Sequence, residues 1–443
     1  MAHSGASPLG SEFRLYAIAR VFVTLASTMQ MVAIGWQVYE LTGRTLELGL
    51  VGLATFVPGA VVTLFAGTVA DRVERRTLLR SCYVAMACVS ATLLALAVSG
   101  PLRSTAPIFL VLPLVGATKA FAGPAGQALL PSLVPAESFP RAVALMSSLF
   151  QGGLIAGPAL GGFVYGTLGG APSVYVLSLA CLVVSIVATG LLRTRSVAPP
   201  REVRMADEVL AGLRYVGANR ILFAAITLDL FAVLLGGATA ILPAFAHEVL
   251  HAGAETAGLL RAAPGVGAVA MGFYLGRRPL GRHAGRTMLV AVAIFGLSML
   301  GFALSRDRLA ALLFLVLGGA ADMVSVVVRH SLVQLRTPDE KRGRVTAVHQ
   351  IAIGASNELG ELESGLAAEA FGLVPSLVVG ASARLWWSRS THSASPSCAS
   401  STRPRATAAE AGPEPYGSSP ARPSRARASE GGSSSTRASL RLI

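Results

Sequence analysis

Leu46-Glu-Leu-Gly-Leu-Val-Gly-Leu-Ala-Thr-Phe-Val-Pro-Gly-Ala-Val-Val-Thr-Leu-Phe-Ala-Gly-Thr-Val-Ala70, followed at once by Asp71-Arg72-Val-Glu-Arg75-Arg76, is an apolar run that ends abruptly in charge. About 20 apolar residues span the hydrocarbon core of a bilayer as a helix, so this stretch reads as a membrane span stopped by a basic loop. The rest of the chain has the same character. Of its 443 residues, 53% are hydrophobic and 14% charged, whereas soluble domains carry roughly 25% charged residues. A chain this apolar is solvated by lipid. Its 47 glycines fit that class, because glycine lets membrane helices approach closely.

Windows of the same kind predict further spans near residues 15–39, 78–99, 106–130, 142–168, 173–192, 221–245, 257–275, 288–304, 309–328 and 345–371. The loops between them alternate in charge. Arg72, Arg75 and Arg76, then residues 193–220, 277–286 and 336–344, are basic. The opposite loops hold little positive charge beyond Arg44, Arg103, Arg306 and Arg308. Short basic loops stay in the cytoplasm, so the expected location is a bacterial-type inner membrane, crossed many times, with the amino terminus cytoplasmic.

That distribution of a net charge of +14 also argues against nucleic-acid binding, which needs one basic, solvated domain. Cys82, Cys88, Cys181 and Cys398 form neither metal-ligand pairs nor a secreted disulfide framework. The first apolar run, from Phe13, is long enough to span and lacks a small-residue cleavage site. No nucleophile motif, Gly-Lys-Ser phosphate loop or dinucleotide fingerprint occurs. An enzyme, a cofactor and transport driven by ATP on this chain are therefore not expected.

The organisation expected is an amino-terminal bundle over residues 1–192, a cytoplasmic linker over 193–220 and a carboxy-terminal bundle over 221–380. The linker contains Pro199-Pro200 and an amphipathic run, Met205 to Val216, suited to lying on the membrane face. An internal repeat supports two similar halves: Pro135, Glu137 and Arg141 recur in the same spacing as Pro338, Glu340 and Arg344. Beyond Gly380 the chain turns to Ser, Arg, Ala and Pro, a composition that cannot bury a core. Residues 381–443 are expected to be a disordered basic tail, and the twelfth helix truncated or aberrant. A frameshift explains the change, since GC-rich DNA read out of frame favours these residues; the alternative is a genuine tail attracted to anionic lipid.

Gly67, Asp71, Arg72, Arg75 and Arg76 resemble the signature loop of the major facilitator superfamily, with Glu74 where that family has glycine. There the glycine allows close helix approach and the aspartate pairs with a cation or helix end across a gate. Gly153, Gly157, Pro158, Gly161 and Gly162 are similar to the Gly-Pro motif of exporters in the same superfamily. Glycines four apart make a groove for a neighbouring helix, and proline bends its own helix. Val32 to Tyr39, Ala120 to Ala125, Thr227 to Val233, Arg342 to Val345 and Ser356 to Glu361 narrow the resemblance to the enterobactin-exporter-like branch, over about Phe13 to Gly380. It implies an all-α fold of two six-helix bundles and export of a small molecule, siderophore-like or drug-like, coupled to protons.

Ionisable groups inside spans are functional candidates by default. Asp229 is the foremost candidate for binding and releasing a proton, with a structural carboxylate as the other reading. Gln30 and Gln37 with Lys119 are expected to line a central cavity for an anionic or catecholate-like cargo; Arg20 either joins them or snorkels to the surface. Asp322 and Arg329 share a helix face as a possible pair. Glu358 and Glu361, three apart, share another, where two carboxylates do not both ionise easily; they carry a proton, receive a cation or face an outer vestibule. His247, Glu248 and His251 have metal-like spacing but no third ligand is evident, so no metal site is assigned. The rival functions are movement of a lipid or amphiphile, a membrane scaffold that does not transport, and an inactive truncated copy.

Overall fold

The computed structural model describes residues 10–70, 73–99, 104–194, 205–219, 222–223, 227, 230, 239–277 and 284–394. Every element among them is helical, because backbone polar groups in lipid must be satisfied within their own segment. The first half contains α1 (Ser11–Thr42), α2 (Thr45–Ala70), α3 (Arg75–Val98), α4 (Ala106–Leu129), α5 (Phe139–Thr167) and α6 (Ala171–Leu191). The amphipathic linker forms α7 (Met205–Ala218). The second half contains α8 (Leu242–Glu248), α9 (Ala254–Arg277), α10 (Ala284–Leu304), α11 (Arg308–Arg336), α12 (Asp339–Phe371) and α13 (Leu373–Ala394). Most of the span expected over residues 221–245, Asp229 included, lies outside the described residues.

Eight of the described helices are long and apolar enough to cross a membrane: α1 to α6, α9 and α11. In α10 and α13 the apolar stretch is shorter, Val290–Leu304 and Leu373–Arg384. Large apolar side chains point outward, with Leu110 83% and Phe371 73% exposed, the inverse of a surface made for water. The turns between α1 and α2, α5 and α6, and α12 and α13 use glycines with positive φ, Gly43, Gly169, Gly170 and Gly372, a conformation that costs glycine little.

In the first half α1 packs on α5 and α6, α2 on α4, and α3 on α4 and α6. In the second, α11 packs on α9 and α10, and α13 on α10 and α12. The halves meet along two seams, α2 with α12 and α5 with α9.

The repeat read from Pro135 and Pro338 is a repeat of backbone. Both prolines are extended, φ −59° and ψ 149° against φ −56° and ψ 146°. Each carbonyl accepts from the amide three residues on, Ser138 and Lys341, at 3.0 Å. A second repeat relates Pro58-Gly59 on α2 to Pro264-Gly265 on α9. A Cβ on Gly116 of α4 would strike the Thr55 carbonyl of α2, and one on Gly319 of α11 would strike the Pro264 carbonyl of α9. Equivalent helix pairs in the two halves thus touch backbone to backbone within one helical turn of equivalent places.

The last helix differs from the expectation. It continues through Ala381 as far as Ala394, because residues 381–394 contain no Gly or Pro to stop it. Residues 395–443 lie outside the described residues. Within α13, Arg384 is 2% exposed and its guanidinium lies 4.5 Å over the Phe295 ring. Its Nε and Nη1 have no hydrogen-bond partner among the described residues, although Asp322 and Glu363 are within electrostatic reach. A buried guanidinium with idle donors is destabilising. Arg384→Leu is therefore expected to raise the thermal midpoint of the detergent-purified protein, by about 1–3 kcal/mol of stability. A lower midpoint would mean that Arg384 is needed as counter-charge to the two carboxylates.

Candidate functional site: the cavity between the halves

The two seams are copies of one design with different chemistry. The separation that relates Pro135 to Pro338 also relates Gly162 to Gly365 and Pro158 to Glu361. The separation that relates Pro58 to Pro264 also relates Gly52 to Gly258. In the α5–α9 seam, a Cβ on Gly258 would meet the Pro158 carbonyl and the Gly162 backbone. In the α2–α12 seam, a Cβ on Gly52 would stand 2.6 Å from Glu358 Oε2 and 2.9 Å from Glu361 Oε2. Where one seam is packed at this level by glycine and proline, its counterpart holds two carboxylates converging on a glycine.

The helix-five motif uses both faces of α5. Gly153, Gly157 and Gly161 lie against Thr24, Thr28 and Met29 of α1, while Gly162 lies against Ala254 and Gly258 of α9. One helix is thereby in backbone contact with its own half and with the other.

Between the seams is a cavity of about 490 Å³, within the range of roughly 300–1,000 Å³ that holds small molecules. Its charged lining comes from both halves: Arg20 of α1 and Lys119 of α4, then Arg261 of α9 and Glu358 and Glu361 of α12. Tyr83, Gln127, Thr24, Ser27 and Thr28 add polar groups. Met31, Met86, Phe150 and Leu154 make apolar wall. Lys119 and Arg261 both act electrostatically on Glu358 and Glu361.

At the ends of α1 and α12 remote from the basic loops the halves are latched together. The Tyr39 hydroxyl donates to the Glu248 carboxylate. His247 stands edge-on to Trp36 and Tyr39, with ring centroids at 6.4 and 5.9 Å. Arg44 Nε donates to Glu369 at 2.9 Å, and the Thr45 hydroxyl to the Gly365 carbonyl at 3.1 Å. His247 and Glu248 are thus committed to α1, and His251 sits in a left-handed turn at φ 48°.

The expected site residues are only partly brought together. Lys119, Glu358 and Glu361 share the cavity wall, and Arg20 turns into the cavity instead of running to the surface. Gln30 and Gln37 do not line it. Gln30 accepts from the Ser90 hydroxyl at 2.5 Å and Gln37 from the Tyr175 hydroxyl at 2.7 Å. Both amides face the interior of the first half, where a buried polar group requires a partner. Asp322 lies on α11 within electrostatic reach of Arg329 and Arg384, away from the cavity lining. Gly67 lies in the last turn of α2 and Arg75 and Arg76 open α3; Arg75 donates to the Ala128 carbonyl and Arg76 to that of Gly190, each at 2.8 Å. Asp71 and Arg72 lie outside the described residues. Arg261 was missed, although a cation within an apolar span is the signal that marked Lys119. Tyr83 and Gln127 had no distinguishing signal.

Residues 3–397 match the sequence model of a family described as transmembrane secretion effector. The multidrug efflux pump Tap of Mycolicibacterium fortuitum is 27% identical over 359 residues, 77% of this chain and 86% of that protein. The enterobactin exporter EntS of Citrobacter koseri is 26% identical over 342 residues, 76% of this chain and 80% of that protein. Among solved structures, a mutant of the nucleoside transporter NupG superposes with a TM-score of 0.71 at 12% identity, covering 86% of this chain and 99% of that one. A bacterial homologue of the human lysosomal transporter Spinster superposes with a TM-score of 0.67 at 14% identity, covering 88% and 99%. At such identities these two structures share the fold.

The α5 contacts separate two glycines of the same helix. Gly152 faces open space, whereas a Cβ on Gly162 would meet the Ala254 carbonyl of α9. Gly162→Ala is expected to destabilise the purified protein by about 1–3 kcal/mol through overpacking. Gly152→Ala should be neutral or stabilising by up to about 1 kcal/mol, from helix propensity. Thermal unfolding of the two variants side by side measures the difference.

Proposed function

This chain belongs to the transmembrane secretion effector family of the major facilitator superfamily, and on that premise we propose that it exports a small organic molecule by proton-coupled alternating access. The observation that carries the reading is the charged cavity at the junction of two similar halves, which is where a transporter of this architecture binds its cargo. Efflux relatives of about one-quarter identity, spanning most of this chain, favour the outward direction.

The basic loops favour an amino terminus and α7 on the cytoplasmic side of an inner membrane. With that orientation the latch of Tyr39, Glu248, Arg44 and Glu369 closes the outer face, and the conformation described is inward-facing. The cavity then receives cargo from the cytoplasm. Release outward requires the latch to part and the cytoplasmic ends to close, where the loop of Gly67, Asp71 and Arg72 is the candidate gate.

Glu358 and Glu361 are the proton site in this reading. A proton held between two close carboxylates relieves their repulsion, and its departure leaves them to Lys119 and Arg261. Because the pair also fills the α2–α12 seam at Gly52, a change in its charge acts on a contact that must break when the transporter turns over. The opposite seam has glycine and proline in that position and does not answer to protons. Asp229 remains a second candidate on sequence grounds.

The test is efflux from vesicles of a panel of siderophores and drug-like dyes under an imposed pH gradient. The intact chain should extrude at least one of them, and collapsing the gradient should stop net export. Glu358→Gln and Glu361→Gln should lose gradient-driven export while retaining exchange of labelled for unlabelled cargo, a step that needs the cavity but no net proton movement. Export indifferent to the gradient, or gradient-driven export retained in both variants, would overturn the coupling. No movement of any cargo under any condition would favour the scaffold reading.

A further inference from the structure

We propose that Arg20 and Tyr83 form a subsite for an acidic group, and that the cavity's cargo is an organic anion with an apolar body. The proposal deepens the transport reading by naming its substrate class, and rests on that reading for the cargo's being moved.

The charges of the cavity divide unevenly. Three cationic side chains, Arg20, Lys119 and Arg261, face two carboxylates, Glu358 and Glu361. The carboxylates interact with Lys119 and Arg261. Arg20 acts on neither; the groups it interacts with are Tyr16 and Tyr83. No carboxylate of the described residues lies within ion-pair distance of it. The surplus cation therefore belongs to the wall furnished by the first half and is not engaged by the acidic pair.

The site around Arg20 is built. A Cβ on Gly126 of α4 would stand 3.1 Å from the Tyr16 hydroxyl and 3.3 Å from Arg20 Nη1, so the glycine is what admits them. Tyr16 spends its own proton on the Gly126 carbonyl at 2.7 Å. Tyr83 is fully buried at the cavity wall and its hydroxyl lies beside the Arg20 guanidinium. A guanidinium only donates, so towards Arg20 the Tyr83 hydroxyl can only accept, and its proton has no acceptor among the described residues. A fork of guanidinium donors and an unspent phenol proton thus converge on one volume. A carboxylate, or another oxyanion of similar geometry, satisfies both in charge-assisted hydrogen bonds. Beyond it, Met31, Met86, Phe150 and Leu154 supply an apolar surface for the rest of the molecule. A cation would meet Arg20 as a like charge.

Binding to the detergent-purified full chain, measured by isothermal titration calorimetry, tests this without any need for transport. The probes are naphthalene-2-carboxylate, the neutral naphthalene-2-carboxamide and the cationic 2-naphthylmethylammonium. The carboxylate is expected to bind at least about 10-fold tighter than the amide. Arg20→Gln should remove that preference and leave amide binding in place, which also reports that the variant is folded. Arg20→Lys, keeping charge without the fork, and Tyr83→Phe should each fall between. Arg306→Gln, exposed in the turn before α11 and remote from cavity and latch, should match the parent. Equal binding of carboxylate and amide, or a preference that survives Arg20→Gln, would overturn the subsite. Preference for the ammonium would assign recognition to Glu358 and Glu361 instead. A chain that binds the carboxylate but moves nothing in vesicles sustains the subsite and fails the transport reading; one that exports the ammonium probe without binding the carboxylate does the reverse.

Discussion

In lipid there is no hydrophobic force to drive one helix onto another, because the tails are as apolar as leucine. What remains is dispersion between surfaces brought close together, and closeness requires that nothing stand between the backbones. The two halves of this protein are joined on that basis. Gly162 against Gly258, and Gly365 against Gly49, are places where any Cβ would meet main chain of the other half. Everything the cavity does depends on those seams, since its walls are the surfaces they leave apart. Close backbone contact of this kind needs no buried polar pairs of its own, so the polar groups between the halves, Glu358 and Glu361 and the latch of Arg44 and Glu369, are additions to it.

The duplication makes the asymmetry informative. Two halves built on one plan would give two equivalent seams, and their backbones are indeed equivalent at Pro58 and Pro264 and at Pro135 and Pro338. The difference is confined to side chains: Pro158 in one seam, Glu361 in the other. Two substitutions on a common backbone, with Glu358 where the other seam has Ile155 and Glu361 where it has Pro158, turn a packing surface into a titratable one. The charged residues on α9 and α12 thereby face a first half whose own carboxylates are absent from the cavity wall.

Much of this was legible in the sequence, for reasons that differ from residue to residue. The apolar runs gave the spans because bilayer thickness fixes helix length, and Gly153 to Gly162 gave a packing helix because the spacing of four is a property of the helix itself. Lys119, Glu358 and Glu361 stood out as charges where charge is expensive. Gln30 and Gln37 were misplaced for a physical reason: they lie on α1 along with Arg20, but sequence spacing does not say which face of a central helix turns inward when both are enclosed. The partners that decide it, Ser90 and Tyr175, lie on α3 and α6. The Pro58 and Pro264 repeat went unread because a proline and a glycine are too short a pattern to notice until the contacts of Gly116 and Gly319 show what they do. The end of the last helix was set too early because composition reports what a segment can bury, whereas helix continuation needs only the absence of a breaker.

In the transport cycle proposed above, a cavity that faces water from one side at a time must keep its charges satisfied in each state. A lone guanidinium or carboxylate in a closed cavity carries the full cost of desolvation, several kcal/mol in practice. Glu358 and Glu361 avoid it by sharing Lys119 and Arg261, an arrangement that crosses from one half to the other and persists only while α4, α9 and α12 stay near one another. Arg20 does not belong to that group. Held by Tyr16 and Tyr83 within the first half, it moves as part of a rigid body and keeps its surroundings whichever way the halves tilt. Charges bound across the halves are suited to sensing the change of state, and a charge bound within one half is suited to carrying a ligand through it. The division of the cavity into a crossing pair and a resident cation follows from where each side chain is anchored.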